Sequence, residues 1–271
     1  MRLLVGRVFP GLAFLACLLY LPKMVAPTSA LYGVVLTPKV LDAVGAALKL
    51  SGLVIGGVFG TRAGLLLERD NPARPAWLLF GGWLAAFAVG QLVLATYLVV
   101  LRASAPLPSI GDVFFLGGYA LAIVGAVWFV ISYVRSGLPV GSPGEHAALA
   151  GSATLLFAVL GWLLLAPIAR AEAPLGERLI NCAYPALDLV VLVPTLLLAR
   201  IAMRLRGGRV GVVWGLLAAG LVGMCAGDVL FAYFSSAGLT GLEPLVDAMF
   251  ALGYTCAGWG AAAQYALARD L

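Results

Sequence analysis

Apolar runs long enough to cross a bilayer recur along almost the whole of this 271-residue chain, with only short polar gaps between them. In a membrane every backbone N–H and C=O must be satisfied within the protein, so such runs can only become helices or the staves of a closed barrel. Composition agrees with a membrane setting: 63% of the residues are hydrophobic and 11% charged, whereas a soluble domain is roughly half apolar and about a quarter charged. Mean hydropathy is +1.06. No gap is long enough for a separate folded domain, so residues 1–271 read as a single integral membrane domain. The runs are rich in Leu, Ala, Gly and Val and lack period-two alternation, which argues for helices over a barrel. The expected fold is therefore an all-α bundle, with eight spans at about 3–21, 40–60, 77–101, 111–134, 147–168, 179–203, 210–234 and 243–267.

Positively charged loops resist translocation, so the placement of Lys and Arg orients the chain. With eight spans both termini share a side, and that side carries eleven Lys and Arg residues against five on the other; Lys49 lies within helix 2. Both termini are thus expected in the cytoplasm of a bacterial inner membrane. The net charge of +5 is a topology signal and points to no nucleic-acid partner. At the start, "MRLLVGRVFPGLAFLACLLYLPKMVAPTSA" has an alternative reading as a signal peptide cleaved after Thr28-Ser29-Ala30, which would leave seven spans. Cys17, Cys182, Cys225 and Cys256 form no CxxC pair and imply neither a metal nor a disulfide framework.

An internal repeat organises the polar residues. The even-numbered helices open with "TPKVLD", "LPSIGD", "AYPALD" and "LEPLVD", each with a Pro three or four residues before Asp42, Asp112, Asp188 or Asp247. Seven positions after Asp112 and Asp247 stand Tyr119 and Tyr254; the equivalent residues after Asp42 and Asp188 are Lys49 and Thr195. The preceding helices align too: "AVGQLVLATYL" against "CAGDVLFAYFS" sets Gln91 beside Asp228. The unit is a helical hairpin repeated four times, with the 5–6 copy diverged at Gly161-Trp162.

Two readings of the carboxylates follow. In the first they are helix caps, since Pro is favoured at the first helical position and a carboxylate in the first turn meets the positive end of the helix dipole; Ser109 to Asp112 even forms a capping box. In the second, a spacing of seven puts Asp112 with Tyr119, and Asp247 with Tyr254, on one helix face flanked by glycines, which in lipid turns inward. Intramembrane carboxylates face a bundle interior and mark function. The candidate site is then an outward-opening pocket of Asp112, Asp188, Asp228 and Asp247 with Gln91, Tyr119 and Tyr254, and with Asp42 at the corresponding end of helix 2. Lys49 either snorkels to an interface, pairs with Asp42 or another carboxylate, or serves as counter-ion to the cluster.

The sequence offers little for catalysis. It has one histidine, His146 in "SPGEHAAL", read as a surface residue, and no HExxH, GxSxG, Walker loop or strand-bound GxGxxG. Histidine-dependent intramembrane hydrolysis is thereby disfavoured, and a microbial rhodopsin would need a lysine in the last helix, which has none. No catalytic residue, metal site or cofactor is assigned.

Three segments, "PSIGDVFFLGGYALAIVG", "AYPALDLVVLVPTLLLAR" and "AGDVLFAYFSSAGLTGLEPLVDAMFALGYTCAGWGAAA", resemble the multi-span sensory regions at the amino end of bacterial diguanylate cyclases and histidine kinases. The resemblance spans about residues 75–267 and carries Pro108, Ser109, Asp112, Tyr119, Tyr184, Pro185, Asp188, Asp228, Asp247 and Tyr254. It implies a sensory or ligand-binding membrane module. Only "ALARDL" follows helix 8, so the expectation is a stand-alone copy that signals to a separate cytoplasmic or membrane partner, and Gln91 replaces the acidic residue of the first Gly-Asp pair. The basic loop from Arg200 to Arg209 would dock that partner or bind anionic lipid. The expected ligand is a small molecule or cation. Rival readings are a cation- or proton-coupled transporter or channel and, more weakly, a lipid-modifying enzyme using the Asp cluster.

Overall fold

A computed structural model describes residues 7–20, 38–137, 142–160, 162–163, 166, 170, 172–204, 208–237, 239 and 242–270. Among them there is no β-strand. The helices are α1 (Phe9–Tyr20), α2 (Pro38–Leu66), α3 (Ala73–Ala95, continued by a π-helical stretch Thr96–Leu101), α4 (Ile110–Arg135), α5 (Pro143–Leu160), α6 (Leu175–Arg204), α7 (Gly208–Ala237) and α8 (Glu243–Arg269). The proposed cleavage site at Thr28-Ser29-Ala30, Gly161 of the diverged repeat, the side chain of His146 and the centre of the basic loop at 205–207 lie outside the described residues.

Five helices are long and apolar enough to cross a membrane: Val40–Leu66, Ala73–Leu101, Ile110–Arg135, Leu175–Arg200 and Gly208–Ser235. Their outward faces carry exposed Val and Leu residues, among them Val54, Val58, Leu92, Val113, Val124 and Val222. A multi-pass membrane protein is the architecture this gives. α8 is 27 residues long but is not among these five. Its Gly, Tyr, Thr, Trp and Gln residues dilute its hydropathy, and it can carry them because it packs against α1, α2 and α7 and buries Val246, Ala251, Tyr254, Thr255, Gly258 and Ala261.

Helix neighbours define a closed ring. α2 packs on α3, α3 on α4, α4 on α6, α6 on α7, α7 on α8, and α8 returns to α2; α1 lies against α8 and α2, and α5 against α6. Close approach at the α2–α8 seam requires glycine: a Cβ at Gly258 would sit 2.4 Å from the carbonyl oxygen of Gly52. At one end the ring is filled by aromatic side chains, with Trp77, Phe80, Trp83, Phe129 and Trp214 meeting edge to face or tilted at centroid separations of 5.0 to 6.4 Å.

The other end is built differently. α3 stops where Arg102 adopts a left-handed conformation (φ 56°) and its N–H returns to the Tyr97 carbonyl, an αL-type stop taken here by a non-glycine residue. The segment that follows, Ala103 to Ser109, crosses the mouth of the ring and delivers Ser109 as the N-cap of α4, where the expected capping box with Asp112 forms.

One expectation about helix starts is corrected. Pro185 does not open α6: the helix begins ten residues earlier, at Leu175, so Pro185 and Pro194 both lie inside it and Asp188 is its fourteenth residue. The capping account therefore fails for Asp188. The start signal lies upstream, in Pro174 followed by Glu177 in the first turn, and the Arg178 N–H reaches back to the Pro174 carbonyl.

Candidate functional site

Inside the ring, at the end away from the aromatic fill, lies a cavity of about 410 Å³. All six ring helices line it: Lys49 from α2, Phe87 and Gln91 from α3, Asp112, Phe115 and Tyr119 from α4, Tyr184 from α6, Met224, Asp228 and Phe231 from α7, and Asp247, Phe250 and Tyr254 from α8. Ala103 to Leu107 form its rim. Six of the nine candidate residues are thus Lys49, Gln91, Asp112, Tyr119, Asp228 and Asp247, and Tyr254 makes a seventh. Asp188 sits just behind the wall, fully buried, and touches the cavity through Tyr119. Asp42 is half-buried near the start of α2 and does not line it.

Partners cross between helices. The hydroxyl of Tyr119 donates to Asp188 Oδ1 and lies 3.3 Å from Asp228 Oδ2. Tyr184 donates to Asp112 Oδ1, while Asp112 Oδ2 accepts from the Ser109 N–H at 2.5 Å and the Ser109 hydroxyl at 3.0 Å. Asp112 is therefore both a helix cap and a wall of the cavity, so the two readings of this carboxylate are not exclusive. The intrahelical Asp–Tyr couples suggested by the spacing of seven share a face but do not bond each other. Each tyrosine that bonds a carboxylate reaches to another helix.

Lys49 takes Asp247 as its partner, Nζ to Oδ1 at 2.7 Å, rather than Asp42. The lysine side chain is 12% exposed and the aspartate 42%, which places the pair at the cavity wall with one end open to it. A Lys49→Met variant should lose about 1 kcal/mol of stability, the scale of a partly exposed pair. The double variant Lys49→Met, Asp247→Leu should recover part of that loss, because it leaves no charge unpaired. Unfolding titrations in mixed micelles read the difference, and a double variant no better than the sum of its singles would discount the pair.

Tyr184 and the cavity phenylalanines are not among the pocket candidates; Tyr184 enters only through the family resemblance. A signal for two of them exists in the repeat: Phe115 and Phe250 each stand four residues before the repeat tyrosines, Tyr119 and Tyr254, and a spacing of four shares a helix face. In the structure Phe87 lies against Phe115 and Tyr119 at 5.2 Å, edge on in both cases, while Phe250 stacks on Tyr254 at 5.9 Å. These rings give the cavity apolar walls around its carboxylates.

At the opposite end the arginines thought to offer a basic face are partly neutralised. Arg200 pairs with Glu145 at 3.2 Å and Arg209 with Asp270 at 2.6 Å. None of the four cysteines is in a disulfide, and no group of three or more His, Cys, Asp or Glu among the described residues has the arrangement to hold a metal ion. No protein-family model, no curated protein and no solved structure matches this chain.

Proposed function

We propose that this chain is a ligand-binding membrane module of the sensory type, with eight spans in four hairpins, both termini in the cytoplasm and the ring cavity opening on the outer face of a bacterial inner membrane. The observation that carries this reading is the one-ended cavity: carboxylates, hydroxyls and rings converge from six helices at one end, and Trp77, Phe80, Trp83, Phe129 and Trp214 fill the other. A transport path needs polar groups through both halves of the bundle; an aromatic plug suits a receptor that keeps its ligand on one side. Because every ring helix lends a side chain to the cavity, a bound ligand changes packing around the whole ring, which is the mechanical requirement for passing a signal to a partner at the far end. The resemblance to sensory regions of cyclases and kinases points the same way.

Native mass spectrometry on detergent-purified protein tests the binding half of this proposal. A species that co-purifies with the wild type and is lost from an Asp112→Asn, Asp228→Asn variant of equal thermal stability is the expected result; this pair leaves the Lys49–Asp247 bridge intact. If nothing is retained, and nothing from a small-molecule library shifts the melting temperature, the cavity is a packing defect and the proposal fails. Orientation is read separately, by labelling Ala105→Cys and Ser136→Cys in a cysteine-free background with an impermeant maleimide. Only the first should react from outside.

A further inference from the structure

We infer that the cavity takes an organic cation, an ammonium or quaternary ammonium group carried on an apolar body. This rests on the ligand-binding reading above and narrows it to a chemical class. The charges at the wall do not balance: Asp112, Asp228 and Asp247 face a single cation, Lys49, which is already spent on Asp247. Behind them lies a fourth acidic side chain, Asp188, fully buried and in contact with Asp228 through a carboxyl–carboxyl hydrogen bond; such a pair keeps one proton between its members, and the wall still carries more negative than positive charge. An enclosed site with surplus carboxylate and few donors rejects anions and attracts positive charge.

Aromatic rings supply the second requirement. Phe87, Phe115, Tyr119, Phe250 and Tyr254 surround the same space, and a cage of aromatic rings binds an alkylammonium through the negative faces of the rings. A metal ion fits poorly, because the three carboxylates of the wall are spread over three helices and already hold hydroxyl, backbone or lysine partners, and no ligand cluster is present among the described residues. The volume, about 410 Å³, falls within the range of small-molecule sites, roughly 300–1,000 Å³, and leaves room for an apolar body beside the charged group.

Calorimetry with three probes of matched shape tests the inference: benzyltrimethylammonium, its neutral carbon isostere neopentylbenzene, and the anion phenylacetate, all with protein in a maltoside detergent. The cation should bind at least about tenfold more tightly than either other probe. Phe250→Leu should weaken the cation about tenfold and leave the isostere unchanged, and Asp228→Asn should narrow the preference for charge. Equal or tighter binding of the isostere or the anion overturns the cation assignment while leaving a ligand-binding cavity in place. If none of the three binds at millimolar concentration, both the assignment and the ligand-binding reading fall.

Discussion

A Gly258→Leu substitution should destabilise the bundle by about 3 kcal/mol or more, at the upper end of what overpacking costs. The reason is local and severe. The added Cβ would lie 2.4 Å from the backbone oxygen of Gly52 and 3.3 Å from the ring of Phe9, and a backbone oxygen has no rotamer by which to move aside. The contact is mutual: a Cβ on Gly52 would come within 2.8 to 2.9 Å of the Tyr254 and Thr255 backbone. α2 and α8 therefore approach at glycine on both sides, as helices do in lipid, where packing replaces the hydrophobic drive. Relief requires the seam to open, and the seam closes the ring beside the residues that carry Lys49 and Asp247. Unfolding in mixed micelles should show the loss, and ligand capture should fall with it. Gly117→Leu is the control: nothing lies within 4 Å of its Cβ, so it should be neutral or slightly stabilising, since glycine costs roughly 0.5–1 kcal/mol in a helix interior. Equal behaviour of the two variants would show that the seam is not closely packed.

How much of this was legible beforehand depends on the range of the interaction involved. The capping box at Ser109 and Asp112 is a four-residue pattern, so sequence alone placed the start of α4 within a residue. Helix class and most positions came from hydropathy, which is local in the same sense. α6 starts at Leu175, four residues before the 179 expected from hydropathy, and Tyr184-Pro185, which resembles an opening turn, lies inside it: the bundle holds two prolines in one 30-residue helix. α8 was recognised as helical, but its low hydropathy becomes intelligible only with α1, α2 and α7 packed around it. Partner choice was the least legible part. Lys49 and Asp247 are 198 residues apart, and the seven-residue periodicity that singled out both of them says only which face each occupies. The same holds for Tyr184 and Asp112. Periodicity found the inward faces; ring closure decided who meets whom.

Tyr119 is where that closure bears most on buried charge, and Tyr119→Phe should cost about 2–3 kcal/mol, the scale of a hydrogen bond to an ionised group left unmade. Its hydroxyl donates to Asp188 Oδ1 and lies 3.3 Å from Asp228 Oδ2. Removing the hydroxyl takes the donor from Oδ1 of a fully buried side chain and leaves it only its contact with Asp228. The change in volume is small and the ring stays against Phe87, so lost packing contributes little. The distinguishing measurement is the cycle with Asp188→Leu. If the cost arises from an orphaned carboxyl, Tyr119→Phe should be much less harmful once Asp188 is leucine, because exchanging both partners for apolar groups removes the unmet demand along with the bond. Additive losses would mean instead that the hydroxyl acts through its other neighbour, Asp228 Oδ2 at 3.3 Å, and not through Asp188.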